Sequence, residues 1–186
     1  MHKTLQTFQA GRLDVAAFAK AQGALEGRDA LQHYARLAHD LHAREADVTI
    51  QWQAQGERRA AADGSVRPAL HLRVQADLPL ICQCCMGPVM TPLRIDRHLV
   101  FAPDEATAAA LDDESEDDVL ELTPALNLRA LIEDELLMAL PLAPRHQRCP
   151  GEIKLSAQDQ DFDAAGGEKA NPFAALAGLK KNGTPN

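Results

Sequence analysis

Three of the chain's four cysteines fall within Cys82-Gln83-Cys84-Cys85, and the fourth, Cys149, closes the stretch APRHQRC. Thiols so placed have three plausible chemistries. Two thiolates at C-x-x-C spacing can grip one tetrahedral ion across a tight turn, and Cys82 and Cys85 have that spacing. Gly87-Pro88, just behind them, resembles the turn of a zinc knuckle. His146 and Cys149, again with two residues between, complete a Cys3His set, so a structural zinc held by Cys82, Cys85, His146 and Cys149 is one reading. A second is a redox pair, which calls for a helix N-terminus after a strand. The third is ordinary reduced thiols. The motif lies between two alternating segments with a proline behind it, which sets redox catalysis below the other two readings and leaves those two open. Cys84 is out of frame with both pairs and reads as a spectator.

The segments that must position these groups are legible from periodicity. In DVTIQWQAQ, Val48, Ile50, Trp52 and Ala54 face one way and Thr49, Gln51, Gln53 and Gln55 the other, the pattern of a half-buried strand. Asp63-Gly64 marks a turn. ALHLRVQADLPLIC alternates again, with Leu70, Leu72, Val74, Ala76, Leu78 and Leu80 inward. After the cysteines, MTPLRIDRHLVFA supplies Leu93, Ile95, Leu99 and Phe101, with Arg97 as a break in phase. Three antiparallel strands follow, with the cysteine cluster at the second turn, and DVLELT is a candidate fourth.

Two helices are expected beside them. One runs from an Asp29 N-cap to Arg44 on the stripe Leu31, Tyr34, Leu37, Ala38 and Leu41, with His33, His39 and His42 off the stripe, where they read as solvated side chains ahead of metal ligands. The other starts at Thr123-Pro124, follows Leu128, Leu131, Ile132, Leu136 and Leu140, and stops at Pro141. Residues 151–170 read as a linker. Phe173, Leu176 and Leu179 make an apolar edge on a terminal piece too short to be a stable helix alone. The chain therefore reads as α+β. A single domain covers residues 1–150, an antiparallel β-sheet of three to five strands packed against two main helices, with a flexible acidic loop at 104–121. A flexible tail, 151–186, ends in a short helix near 171–181.

Charge is unevenly placed. Nine acids and no Lys or Arg lie between His98 and Leu128, while the chain as a whole carries −8, so the remainder is +1. A solvated loop is one reading of Asp112, Asp113, Glu114, Glu116, Asp117 and Asp118. A docking strip for a Lys/Arg-rich protein is the other. Glu133, Asp134 and Glu135 in the second helix read either as a solvated edge or as a second contact for basic side chains. The chain shows no Gly-rich phosphate loop, no G-x-S-x-G and no apolar run long enough to span a bilayer. It also lacks an apolar signal-peptide core, which sets the cytoplasm as the expected compartment. His71 and His98 sit on strands with no sequence-evident partner.

LPLICQCC after an alternating strand, then LIEDELLMALPLAPRHQRC, then NPFAALAGLKK, in that order and spacing, resemble the YceD family over roughly Asp14 to Lys181. The family's C-x-x-C falls on Cys82 and Cys85, its later cysteine on Cys149, and its helix acids on Glu133, Asp134 and Glu135. Cys84 departs from the basic or polar residue common there. The resemblance implies a cytoplasmic, non-enzymatic factor in large-subunit ribosome biogenesis that supports accumulation of large-subunit (23S) rRNA. The partner it implies is a basic large-subunit ribosomal protein or a pre-50S particle, with rRNA reached indirectly and neither membrane nor small-molecule substrate involved. An acidic chain suits a basic protein better than it suits phosphate. The competing readings are a direct rRNA binder using Arg58, Arg59, Arg67 and Arg73, and a C-x-x-C thiol-disulfide enzyme.

Overall fold

The computed structural model describes residues 7–41, 48–61 and 63–150. The three alternating segments are strands β2 (Thr49–Ala60), β3 (Val66–Ile81) and β4 (Pro88–Ala102). They pair antiparallel in a five-stranded sheet of order β1-β2-β3-β4-β5, where β1 is Ala24–Ala30 and β5 is Asp118–Glu121. β5 runs parallel to β4. The β2–β3 turn has Gly64 at φ +77°, and Asp63 Oδ1 accepts from the Ser65 backbone N–H at 2.9 Å. α+β is the observed class, with the sheet mostly antiparallel.

One face of the sheet carries the main core. Ile50, Trp52, Leu70, Leu72, Val74, Leu78, Ile95 and Leu99 meet Phe18 of helix α1 (Val15–Ala21), Leu37 of α2 (Ala35–Asp40), and Leu128, Ile132 and Leu136 of α4 (Leu128–Met138). Glycine is needed at Gly56, because a Cβ there would lie 2.5 Å from the Phe18 carbonyl oxygen and push α1 off β2.

Four departures from the sequence reading have physical causes. The helix expected from Asp29 to Arg44 is divided among the end of β1, a 3-10 turn (Leu31–His33) and α2, while residues 42–47, including His42, lie outside the described residues. Asp29 is no N-cap: it is buried, and its Oδ2 accepts from Tyr34 Oη and Trp52 Nε1, both at 2.9 Å. Strand β1 escaped notice because Gly27 and the charges of Glu26, Arg28 and Asp29 hide its alternation, and Gly27 is small so that the Trp52 indole can lie over it.

The second main helix starts at Leu128 with Asn127 as N-cap, not at Thr123-Pro124. Leu126 is held in a two-way backbone bridge with Leu13 (2.8 and 2.9 Å), which keeps that stretch extended. Finally, much of the acidic segment is ordered as α3 (Glu105–Asp112) and β5. Asp104 caps α3, and Ala108 and Leu111 join Ala69, Val100, Ala102 and Val119 in a small core on the sheet's other face. Residues 151–186, with the short helix expected near 171–181, lie outside the described residues. Among the described residues no helix is long and apolar enough to cross a membrane.

Candidate metal centre and acidic surface

The turn between β3 and β4 is closed by backbone bonds. Cys82 N–H donates to Gly87 O (2.8 Å) and Met86 N–H to Cys82 O (2.9 Å), with Met86 in the left-handed region at φ 59°. This knuckle presents Cys82 and Cys85 on one side. The segment after α4 returns to it, pinned where Gln83 N–H donates to Pro144 O at 2.9 Å. That return brings in His146 and Cys149, more than sixty residues away in sequence. Cys82 Sγ lies 3.8 Å from Cys149 Sγ, and Cys85 Sγ lies 3.5 Å from His146 Nδ1. All four ligand atoms fall within 4.8 Å of one another.

These distances fit a tetrahedral ion. With Zn–S near 2.3 Å and Zn–N near 2.0–2.1 Å, tetrahedral S–S and S–N edges are about 3.8 and 3.6 Å. His146 Nε2 lies 2.9 Å from Pro88 O, so it donates there and leaves Nδ1 as an acceptor facing the thiols, the outer-shell bond that orients metal-ligating imidazoles. Backbone N–H groups, first that of Cys85 and then that of His146, lower the Cys82 thiol to about 5, while burial and then the neighbouring thiols push Cys149 up to about 12. Thiolates gathered this closely repel one another, a conflict that a divalent cation removes. Cys82 is fully buried, so a disulfide substrate has no access to the more acidic thiol. Cys84 is exposed and stands outside the quartet.

The acids divide into those used internally and those facing solvent. Asp112 Oδ1 accepts from Val119 N–H (2.9 Å), Asp117 pairs with Arg59 (2.9 Å), and Asp118 pairs with Arg97 (3.2 Å). Asp113, Glu114 and Glu116 are exposed and have no ion pair among the described residues. On α4, Glu133 and Glu135 turn inward. Glu133 Oε1 accepts from the Arg36 and Leu37 N–H groups at 2.8 and 3.2 Å, and Glu133 Oε2 meets the Arg36 guanidinium at 3.0 Å. Asp134 reaches the same arginine at 2.6 Å. Glu135, buried and therefore raised in pKa, lies 3.7 Å from Arg97, which explains that residue's break in phase. The basic side chains these three meet are the protein's own. Among the four candidate RNA-binding arginines, Arg59 pairs with Asp117, Arg67 with Asp63 (2.5 Å) and Arg73 with Asp96 (3.5 Å). Arg58 is exposed.

Sequence reasoning missed the tie between Arg36 and Glu133. The only signal was the absence of a Ser, Thr, Asp or Asn ahead of Ala35. His33 and His39 lie on the 3-10 turn and on α2, and neither belongs to the cysteine–histidine quartet.

The sequence model of a family described as "Large ribosomal RNA subunit accumulation protein YceD" matches residues 70–180. A curated protein of that same description from Haemophilus influenzae is 31% identical over 142 residues, covering 74% of this chain and 75% of its own. No solved structure matches. The matched span opens in β3 and takes in the whole cysteine–histidine quartet and the acidic segment.

Proposed function

This chain belongs to the YceD family, named for accumulation of the large ribosomal RNA subunit, and from that premise we propose that it is a non-enzymatic, cytoplasmic binding factor. It holds a basic large-subunit ribosomal protein, free or within a pre-50S particle, and supports 23S rRNA accumulation indirectly. The observation that carries this reading is the placement of charge. Of the nine acids of residues 104–121, Asp104 caps α3 and the other eight lie on α3, β5 and the link between them, after the end of β4. The cysteine–histidine turn lies before the start of β4, fifteen residues away, or about 45 Å at the usual strand rise. Asp113, Glu114 and Glu116 are the exposed members best placed for a Lys/Arg-rich partner, with Asp112, Asp117 and Asp118 beside them and Asp134 at the α4 edge. A surface with a net excess of negative charge speeds encounter with a cationic partner, an effect that weakens with salt.

The same reading gives Cys82, Cys85, His146 and Cys149 a structural role, holding zinc so that the chain leaving α4 is stapled to the β3–β4 turn. Zinc fixed by four protein ligands keeps no open position for chemistry, in keeping with a binding factor.

Affinity purification of the full chain at low and high salt, followed by mass spectrometry, tests the reading. Wild type is expected to recover a large-subunit protein or pre-50S particle at low salt, and recovery should survive nuclease. Asp113→Lys/Glu114→Lys/Glu116→Lys should lower recovery at least about tenfold, the loss of roughly 1.4 kcal/mol of binding. Equal recovery by that variant, recovery abolished by nuclease, or no recovery at low salt would each overturn it.

A further inference from the structure

The sheet face opposite the main core carries a second set of ligating side chains. His71 of β3 and His98 of β4 are direct cross-strand partners. Their rings stack with centroids 4.0 Å apart and planes 19° from parallel. Glu57 of β2 sits beside both, with Oε1 3.8 Å from His71 Nδ1 and Oε2 3.3 Å from His98 Nδ1. The ligand atoms of these three residues lie within 4.8 Å of one another.

Two details go beyond proximity. His71 Nε2 lies 2.5 Å from Asp96 Oδ1 and donates to that carboxylate, which turns Nδ1 toward Glu57, where the neutral ring offers its lone pair to a cation. This carboxylate–imidazole arrangement is the one that orients ligands around bound metals. His98 Nδ1 is shut off from solvent and makes no hydrogen bond, although Glu57 is close, so its lone pair or proton lacks a well-directed partner. Buried polar atoms in native folds normally have one.

The geometry points to a second divalent-cation site formed by Glu57, His71 and His98, with Asp96 as the positioning residue. Two imidazoles and a carboxylate suit a late first-row ion such as Zn2+ or Ni2+, and three protein ligands leave a coordination position for an oxygen donor. Ligand edges of about 3.3 Å are expected around such an ion. The Glu57–His98 separation already has that length, whereas His71 must approach. In-plane lone pairs converge on one ion only when the rings splay, so binding opens the stack. Arg73 Nη2, 3.5 Å from His71 Nδ1, is half-exposed and swings onto Asp96 alone, which its Nε already approaches at 3.5 Å.

The test uses the untagged full chain loaded with a single equivalent of Zn2+, enough for the cysteine quartet alone, and titrates Ni2+ by calorimetry and native mass spectrometry. One Ni2+ per chain is expected, lost in His98→Asn and in Glu57→Gln and retained in Cys149→Ser, which separates this site from the cysteine quartet. Asp96→Asn is expected to weaken binding about 10–100-fold. Ring nitrogen NMR signals of His71 and His98 should move on Ni2+ or Zn2+ addition. Glu57→Gln keeps shape at a partly exposed position, so its loss of binding with unchanged circular dichroism is not a folding failure. No uptake by wild type, or uptake that persists in both variants, would overturn the proposal.

Discussion

Asp29 and Glu135 are both buried carboxylates, yet their surroundings push them in opposite directions. At Asp29, burial alone would raise the pKa. The bonds from Trp52, Tyr34 and Arg129 together outweigh it and hold the group below its ordinary value. Its folded pKa is depressed, so its contribution to stability is present at neutral pH and fades as pH falls below 3.8. Asp29→Ala leaves an indole N–H and a phenol O–H without an acceptor and is expected to cost about 2–4 kcal/mol in urea denaturation at pH 7. The gap to wild type should narrow in acid. A loss under about 1 kcal/mol at pH 7 would contradict this account. Glu135 is raised by burial, with Asp118 and Asp134 adding to the shift and Arg97 opposing it. A carboxyl whose folded pKa is raised favours the fold below 4.5 and burdens it once pH exceeds the folded value. Glu135→Gln should therefore gain on wild type between pH 4 and pH 7 in thermal unfolding. A variant that falls further behind over that range would show that the Arg97 pairing outweighs the burial cost.

At the level of elements, α2 is a six-residue helix with no side-chain cap of its own. Tyr34 occupies the cap position, but its hydroxyl is committed to Asp29. The first-turn N–H groups of Arg36 and Leu37 are satisfied instead by Glu133, reaching across from α4. A carboxylate at a helix N-terminus also meets the positive end of the helix dipole. Glu133→Ala removes both acceptors at a buried position and is expected to cost about 2 kcal/mol by denaturant titration. Arg36→Ala, which removes only the half-exposed guanidinium and leaves the backbone bonds, should cost less than Glu133→Ala, because solvent screens the ion pairs it loses. The reverse order would mean that the ion pair, not the cap, joins the two helices. The acidic segment shows how packing outranks composition. Its charges suggest a solvated loop, yet Ala108 and Leu111 are enough to seat α3 on Ala69 and Val100.

Across the whole molecule, β4 separates an acidic end from the proposed zinc staple. The staple joins residues distant in sequence, so metal loss should be felt globally. Metal analysis of zinc-replete protein is expected to show one equivalent that disappears in Cys82→Ser and Cys149→Ser, with chelation lowering stability by roughly 3 kcal/mol or more. Less than about a tenth of a Cys149-dependent equivalent would exclude the staple. What the sequence determined by itself was local. The period-two alternation from Val48 to Phe101 specified three strands and their buried faces, because side-chain direction in a strand depends only on neighbours along the chain. The C-x-x-C and H-x-x-C spacings nominated Cys82, Cys85, His146 and Cys149 for the same reason. Tertiary structure alone decided which distant groups meet. Asp29 faces Trp52 and Arg129, Glu133 caps α2, Arg97 finds Glu135, and His71 lies against His98. Each contact depends on strand register or helix docking, which is settled by how the whole core packs and not by periodicity within any one segment.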